Sequence, residues 1–187
     1  MSATAQAQAQ ASPSTADAAP AGRVGTELWT VLCVDDEANI LSALKRVLRA
    51  AGYCVVTAAD GAQALLRLAE MPIDIVISDM RMPVMDGAAL LEQVQQRWPG
   101  VARLLLTGHA DMSATVAAIN RGRILRYLHK PWDQHELLGA LTEATERIGL
   151  EREKLRLEAL TRSQNEQLRT LNQDLERRVE ARTTELK

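Results

Sequence analysis

The sequence predicts an α/β domain, in which helices cover both faces of a parallel sheet, followed by a long C-terminal helix. Five short runs rich in Val, Ile and Leu alternate with longer segments whose apolar residues recur with helical period. Because each parallel crossover needs a helix over the sheet, this alternation favours a doubly wound fold. After Glu143 there is one glycine and no proline, in sequence rich in Glu, Arg, Leu and Gln, which favours one continuous helix.

The composition excludes several classes of protein. With 22 basic and 24 acidic side chains the net charge is −2, so no overall positive field attracts nucleic acid. No run of about 18 apolar residues is present, and the N-terminus lacks the pattern of a secretory signal. Cys33 and Cys54 both lie in apolar runs, where core positions are expected. We therefore expect a reduced, cytoplasmic protein that contacts neither a membrane nor nucleic acid directly.

The first 26 residues differ from the rest of the chain. They are rich in Ala and Gln and contain one acidic and one basic residue. Such a segment buries too little apolar surface to offset the entropy of ordering it, so a disordered leader over 1–26 is expected. A helix driven by alanine propensity is the alternative.

The alternation of strands and helices spans residues 28–148, a typical size for one domain. Within Ile40–Leu48, for example, the apolar residues at positions 40, 41, 44, 47 and 48 share one helical face. The predicted strands are Trp29–Val34, Tyr53–Ala58, Ile73–Ser78, Ala102–Leu106 and Ile124–Leu128. The predicted helices are Ile40–Leu48, Ala62–Ala69, Ala88–Val94, Met112–Ile119 and a fifth that begins near Asp133.

Residues 149–187 predict a helical coiled-coil extension, nearly continuous with the fifth helix. Its narrow apolar stripe suits a seam between two helices, and a parallel homodimer is the simplest partner arrangement. Asn165, Arg178 and Arg182 interrupt a strict heptad repeat, and a single solvated helix is the alternative. The stripe consists of Leu168, Leu171, Leu175 and Val179.

Polar residues follow the predicted strands where the strands end. Asp35 and Asp36 follow the first strand, Asp79 the third, Thr107 the fourth and Lys130 the fifth. These ends meet at one edge of a parallel sheet, where close carboxylates raise each other's pKa unless a cation lies among them. Oxygen ligands without His or Cys favour Mg²⁺ or Mn²⁺. The lysine and the threonine could then bind a phosphoryl group carried by one carboxylate, whereas capping of the following helices is the alternative role for each acid.

Four segments carry motifs of one protein family. They are Val31–Glu37, Ile77–Gly87, Leu104–Gly108 and Tyr127–Pro131. Jointly they resemble the receiver domain of bacterial two-component response regulators (CheY-like), over residues 28–148. The resemblance implies a flavodoxin-like sheet of strand order 2-1-3-4-5.

The resemblance also implies a phosphoacceptor and a metal site. Asp79 would receive a phosphoryl group from the phosphohistidine of a cognate histidine kinase or phosphotransfer protein. Asp36 and Asp79 would hold Mg²⁺ (or Mn²⁺) together with the backbone carbonyl of Arg81, and Asp35 would help largely through water. The Lys130–Pro131 peptide would be cis, as in this family.

The resemblance also implies roles for five side chains. Lys130 would pair with the phosphoryl oxygens, and Thr107 would move to hydrogen-bond them. Tyr127 is the aromatic residue expected to swing inward with Thr107. Arg81 and His109 are candidates for tuning the hydrolysis of the phosphoryl group.

The sequence does not determine which output module or target the chain acts on. Residues 119–133 resemble receivers attached to cyclic-dinucleotide phosphodiesterases of the HD-GYP kind and to activators of the nitrogen-regulatory class. The tail resembles the connector before kinase, cyclase or phosphodiesterase modules, so the chain is either a fragment of a larger regulator or a complete device. We expect no output enzyme domain within it, only phosphoryl acceptance and self-dephosphorylation.

The sequence argues against two other functions. A phosphatase of the haloacid dehalogenase type needs a second aspartate two residues after the nucleophile, whereas Asp79 is followed there by Arg81. A helix-turn-helix for DNA binding does not fit residues 149–187, which are too few and too evenly charged.

Overall fold

The computed structural model describes residues 23–24, 27–108 and 123–185. Its centre is a five-stranded parallel sheet in the order β2-β1-β3-β4-β5, so the predicted order and fold class are confirmed. The strands are β1 Thr30–Val34, β2 Cys54–Ala58, β3 Ile75–Asp79, β4 Ala102–Thr107 and β5 Arg126–His129. The helices are α1 Ala38–Ala50, α2 Gly61–Glu70, α3 Gly87–Arg97 and α4 Gln134–Glu185. A short antiparallel pair, Arg23–Val24 with Glu27–Leu28, precedes the sheet.

Both faces of the sheet are covered, because successive residues of each buried strand point to opposite sides. On β1, Val31 and Cys33 face a cluster that includes buried residues of α1 and α4. Leu32 and Val34 face the opposite cluster, which includes residues of α2 and α3. Strand β3 is buried along its whole length, and a continuous aliphatic run such as its first three residues, Ile75–Ile77, is typical of a sheet covered on both faces.

Aspartates begin three of the helices. The Asp60 carboxylate accepts a hydrogen bond from Gln63 N (2.7 Å) at the start of α2, and Asp86 accepts one from Ala89 N (2.7 Å) at the start of α3. Asp133 accepts from His135 N (2.8 Å) before α4. Each bond satisfies an N–H that would otherwise have no partner in the first turn. Capping is therefore the role of these three acids.

Some predicted features differ from the structure or lie outside it. The third strand begins two residues later than predicted, at Ile75. Cys33 is buried as expected, but the prediction for Cys54 is wrong, because it begins the edge strand β2 with its side chain exposed. The predicted helix Met112–Ile119, residue His109 and the leader up to residue 22 lie outside the described residues.

Helix α4 has two parts. Up to Ile148 it contributes buried side chains to the core, among them Leu137 and Leu141. From Leu150 to Val179 every side chain is exposed. At about 1.5 Å per residue the 52-residue helix is about 80 Å long. Among the helices that the structure describes, none combines the length and the apolar composition that a membrane span requires.

Candidate functional site

The site lies at the carboxyl edge of the sheet, where four neighbouring strands end. Asp35 follows β1 directly, Asp79 is the last residue of β3, and Thr107 is the last residue of β4. Lys130 follows β5. Because the strands are parallel and adjacent, residues distant in sequence meet at this edge.

Three carboxylates converge there. Asp35, Asp36 and Asp79 each offer one carboxylate oxygen, and these three atoms lie within 4.8 Å of one another. Asp35 is fully buried and Asp79 is 7% exposed, whereas Asp36 is exposed. One oxygen of Asp35 accepts a hydrogen bond from Glu37 N (2.9 Å), and one of Asp79 accepts from Arg81 N (3.2 Å). The main chain thus fixes the two buried carboxylates in place.

Lys130 joins the two buried acids. Its Nζ lies 2.7 Å from Asp35 Oδ2 and 2.7 Å from Asp79 Oδ1. The backbone supports this position, since Lys130 N donates to Thr107 O (2.8 Å). The Lys130–Pro131 peptide is cis. A single ammonium group therefore bridges carboxylates that belong to two different strands.

The electrostatics of the site follow from burial and from these contacts. Burial raises the pKa of the Asp79 carboxyl, the nearby charge of Asp35 raises it further, and the bond to Lys130 only partly opposes this. For Lys130, burial lowers the pKa, but the bonds to Asp35 and Asp79 outweigh burial and hold the pKa above its usual value. Lys130 therefore remains charged at neutral pH.

The donor set fits a hard divalent cation. Three carboxylates face one ammonium group, so negative charge is in excess, and the converging ligands are all oxygen atoms. Mg²⁺ prefers such ligands and tolerates a site in which water completes its coordination. Asp36, being exposed, leaves one side of the cluster open to solvent.

Thr107 and Tyr127 are placed differently from each other. Thr107 is buried at the same sheet edge, and its hydroxyl donates to Gly108 O (3.1 Å). Tyr127 is 43% exposed, with its ring edge-to-face against His129 at 5.6 Å. The structure therefore brings Thr107 to the sheet edge and leaves Tyr127 at the surface.

Gly87 is a supporting residue whose packing role the sequence analysis missed. A Cβ atom at this position would lie 2.0 Å from the carbonyl oxygen of Asp79, so no side chain fits there. Gly87 N also donates to Met80 O (3.0 Å), and the Ser78 hydroxyl donates to Asp79 O (2.9 Å). The start of α3 thus packs directly on the main chain of the acidic residue. The signal in the sequence was the pair Asp86–Gly87, a helix cap followed by a residue without a side chain.

Comparisons with known proteins agree with this geometry. Residues 31–142 match the family model for the response regulator receiver domain. The hydrogenase transcriptional regulatory protein HoxA of Cupriavidus necator is 35% identical over 141 residues, which are 75% of this chain and 29% of that protein. The DNA-binding transcriptional regulator NtrC of Escherichia coli is 40% identical over 114 residues, 61% of this chain and 24% of NtrC. The chain thus spans less than a third of the length of either relative.

A solved structure has a similar fold. It is the signal receiver domain of an HD domain-containing protein from Pseudomonas fluorescens, with 43% sequence identity and a TM-score of 0.63. The match covers 65% of this chain and 97% of that one. The identity to NtrC agrees with the predicted similarity to receivers of transcriptional activators, whereas a link to a phosphodiesterase output stays a prediction.

Proposed function

Because the chain belongs to the response regulator receiver family, we propose that it is a switch phosphorylated on Asp79. The donor would be the phosphohistidine of a cognate histidine kinase or phosphotransfer protein, and the signal would pass through a dimeric C-terminal helix. The observation that carries the proposal is the position of Lys130 Nζ, 2.7 Å from Asp79 Oδ1 and 2.7 Å from Asp35 Oδ2. A cation held at this distance can bind the oxygens of a group attached to Asp79.

The proposed chemistry is a direct phosphoryl transfer. A carboxylate oxygen of Asp79 attacks phosphorus, the P–N bond of the phosphohistidine breaks, and its electron pair stays on the imidazole nitrogen, which takes up a proton. Asp79 is the best placed of the three acids, because it ends the central strand β3, Lys130 contacts it and, unlike Asp35, it is not fully buried. Asp35 is fully buried and hydrogen-bonded to Glu37 N, so it is a supporting group.

Asp36 and Asp79 would hold Mg²⁺, or Mn²⁺, with the backbone carbonyl of Arg81, and Asp35 would contribute largely through water. When bound, the cation offsets the negative charge that a phosphoryl group adds to a site with three carboxylates. The converging oxygens of the acidic cluster support this assignment.

The switch would use Lys130 and Thr107, which already lie at the sheet edge, and Tyr127, which lies at the surface. Lys130 exchanges its bond to Asp79 for bonds to the phosphoryl oxygens, and the Thr107 hydroxyl turns from Gly108 O toward the same group. Tyr127 moves inward from its exposed position. Hydrolysis of the acyl phosphate by water resets the switch, with Arg81 and His109 as candidate tuning residues.

The output would run through α4 rather than through an enzyme domain of this chain. We infer a parallel homodimer whose seam includes Leu168, Leu171, Leu175 and Val179, each more than half exposed. Attachment to a larger regulator that carries an output enzyme is the alternative. In either case we expect a cytoplasmic module that contacts neither a membrane nor nucleic acid directly.

The proposal is tested by labelling the purified chain from a phosphohistidine donor or acetyl phosphate. Asp79→Asn should abolish acid-stable, hydroxylamine-sensitive labelling, and excess EDTA should abolish it in the unaltered chain. Asp60→Asn is a matched control, because asparagine caps α2 as well as aspartate does, and labelling should be unchanged. Stoichiometric labelling of Asp79→Asn would place the acceptor elsewhere, and full labelling in EDTA would remove the metal from the mechanism.

A further inference from the structure

The free part of α4 presents aliphatic side chains along one face, here called the outer stripe. Its members are 53–74% exposed and are separated by 7, 11, 7 and 4 residues, or about two, three, two and one helical turns. Side chains at these spacings lie above one another along the helix. The outer stripe consists of Leu150, Leu157, Leu168, Leu175 and Val179.

The outer stripe lies on the side of α4 that faces away from the domain. Leu141, Ala144 and Ile148 are buried in the core and mark the inner side of the helix. Leu150 follows Ile148 by two residues, which is about 200° around the helix axis. A second helix can therefore cover the outer stripe without displacing the receiver domain.

Two asparagines lie within this apolar face. Asn165 and Asn172 are exposed, lie seven residues apart, and precede Leu168 and Leu175 by three residues each. Val179 follows Asn172 by seven residues, so the order is Asn, Leu, Asn, Leu, Val at alternating spacings of three and four. Asn165 also lines a shallow groove along α4 together with the first two leucines of the outer stripe. The asparagines therefore occupy seam positions rather than flanks.

We propose that Asn165 and Asn172 fix the pairing of α4 with a second copy of the chain as parallel and in register. This inference rests on the dimer of the proposed function and names the residues that determine the orientation and register of its two helices. In this pairing each asparagine faces its own counterpart, so that the amide N–H of one donates to the amide oxygen of the other. An antiparallel partner would place leucines against the asparagines and leave buried amides without hydrogen bonds.

A shifted parallel pairing is also disfavoured. A shift of one heptad still brings Leu175 of one copy against Leu168 of the other, and Asn172 against Asn165. The other two asparagines, however, then face Val179 and Glu158 in place of an amide partner. The leucines alone would therefore permit slippage, and the asparagines would oppose it. The aliphatic residues do not form an uninterrupted heptad repeat, because the 11-residue spacing between Leu157 and Leu168 corresponds to an insertion of four residues. A further determinant of register is therefore needed.

Disulfide cross-linking of the full chain tests the register. In a Cys54→Ser background, which removes the exposed cysteine, Leu175→Cys should form disulfide-linked dimers nearly completely. Gln173→Cys, about 200° around the helix, is the matched control and should not. Leu175→Cys chains are then mixed with Leu168→Cys chains that carry a different tag. The cross-link between the two kinds of chain reports the shifted register (shifted cross-link), and the cross-link between two identical chains reports the matched register (homologous cross-link). The shifted cross-link should form in less than a tenth of the amount of the homologous one.

The decisive variant is Asn165→Leu combined with Asn172→Leu in the same cysteine backgrounds. Leucine favours the helix and the seam, so the dimer should persist or strengthen, while the shifted cross-link should rise several-fold. An unchanged ratio of shifted to homologous cross-link would overturn the role of the asparagines and leave the proposed dimer standing. An intact chain that sediments as a monomer at tens of micromolar would overturn the dimer itself.

Discussion

Asp79 ends the central strand β3, where burial and the neighbouring Asp35 both disfavour its charged form. Lys130 compensates only in part, because it is shared between the two acids. A buried charge of this kind is held in place by surrounding contacts at a cost in stability, which is characteristic of functional positions. The site is therefore expected to be less stable without a cation than with one.

The pH dependence of stability tests this expectation. The folded-state pKa of Asp79 is raised above its usual value, so its contribution to stability is present below about pH 4 and is lost as the pH rises through the folded-state pKa. In EDTA at pH 7, Asp79→Asn should therefore have a larger free energy of unfolding than the unaltered chain, and the difference should shrink toward pH 4. Urea denaturation of both chains at several pH values measures this difference in the free energy of unfolding. A variant that is less stable than the unaltered chain at pH 7 would contradict the expectation.

At the scale of elements, α4 is joined to the domain by contacts beyond its core-facing side chains. Arg152 Nη2 lies 2.6 Å from Asp74 Oδ1, and its guanidinium lies 5.2 Å from the centroid of the Trp29 ring. Asp74 Oδ2 in turn accepts a hydrogen bond from Thr30 N (2.8 Å). One carboxylate thus links the start of β1 to the point where the helix leaves the domain.

The contacts of Arg152 with Asp74 and Trp29, here called the junction, should contribute modestly to stability. Arg152 is largely exposed, so solvent screens its ion pair, and the pair and the ring contact together are worth about 1 kcal/mol. Arg152→Ala should lower the free energy of unfolding of the domain by about that amount in urea denaturation. Lys154→Ala is the matched control, because its 3.9 Å pair with Glu158 is exposed and lies within the helix. Equal losses for both variants would show that the junction contributes nothing specific.

The elements show what the sequence could predict. The strands followed from aliphatic runs, and the acidic cluster followed from the rule that parallel strands end at one edge. The junction could not be predicted, because Asp74 and Arg152 are 78 residues apart and no periodicity relates them. The exposure of Cys54 was missed because its apolar run was taken as buried throughout, although the implied strand order already placed this strand at the edge of the sheet.

At the scale of the whole molecule, α4 connects the two ends of the domain. It begins four residues after Lys130, at the carboxyl edge of the sheet, and leaves the domain near Arg152, beside Trp29 and Asp74 at the opposite edge. A change at the proposed phosphorylation site would therefore act close to the first turn of the helix that forms the extension. Rearrangement of two receivers on one helix pair would alter the splay of the seam, and a seam with polar positions is easily biased.

The oligomeric state tests this arrangement directly. Every side chain of α4 from Leu150 to Val179 is exposed, and a helix about 80 Å long with an exposed apolar stripe is marginal alone. The intact chain should sediment as a dimer at tens of micromolar, and a chain ending near Gly149 as a monomer or a weaker dimer. Leu168→Glu with Leu175→Glu should shift the intact chain toward monomer, because charges replace the seam. Ser163→Glu with Thr170→Glu, at the same spacing on the opposite face of α4, should not. Dissociation by both pairs of substitutions alike would mean that charge rather than the seam controls association.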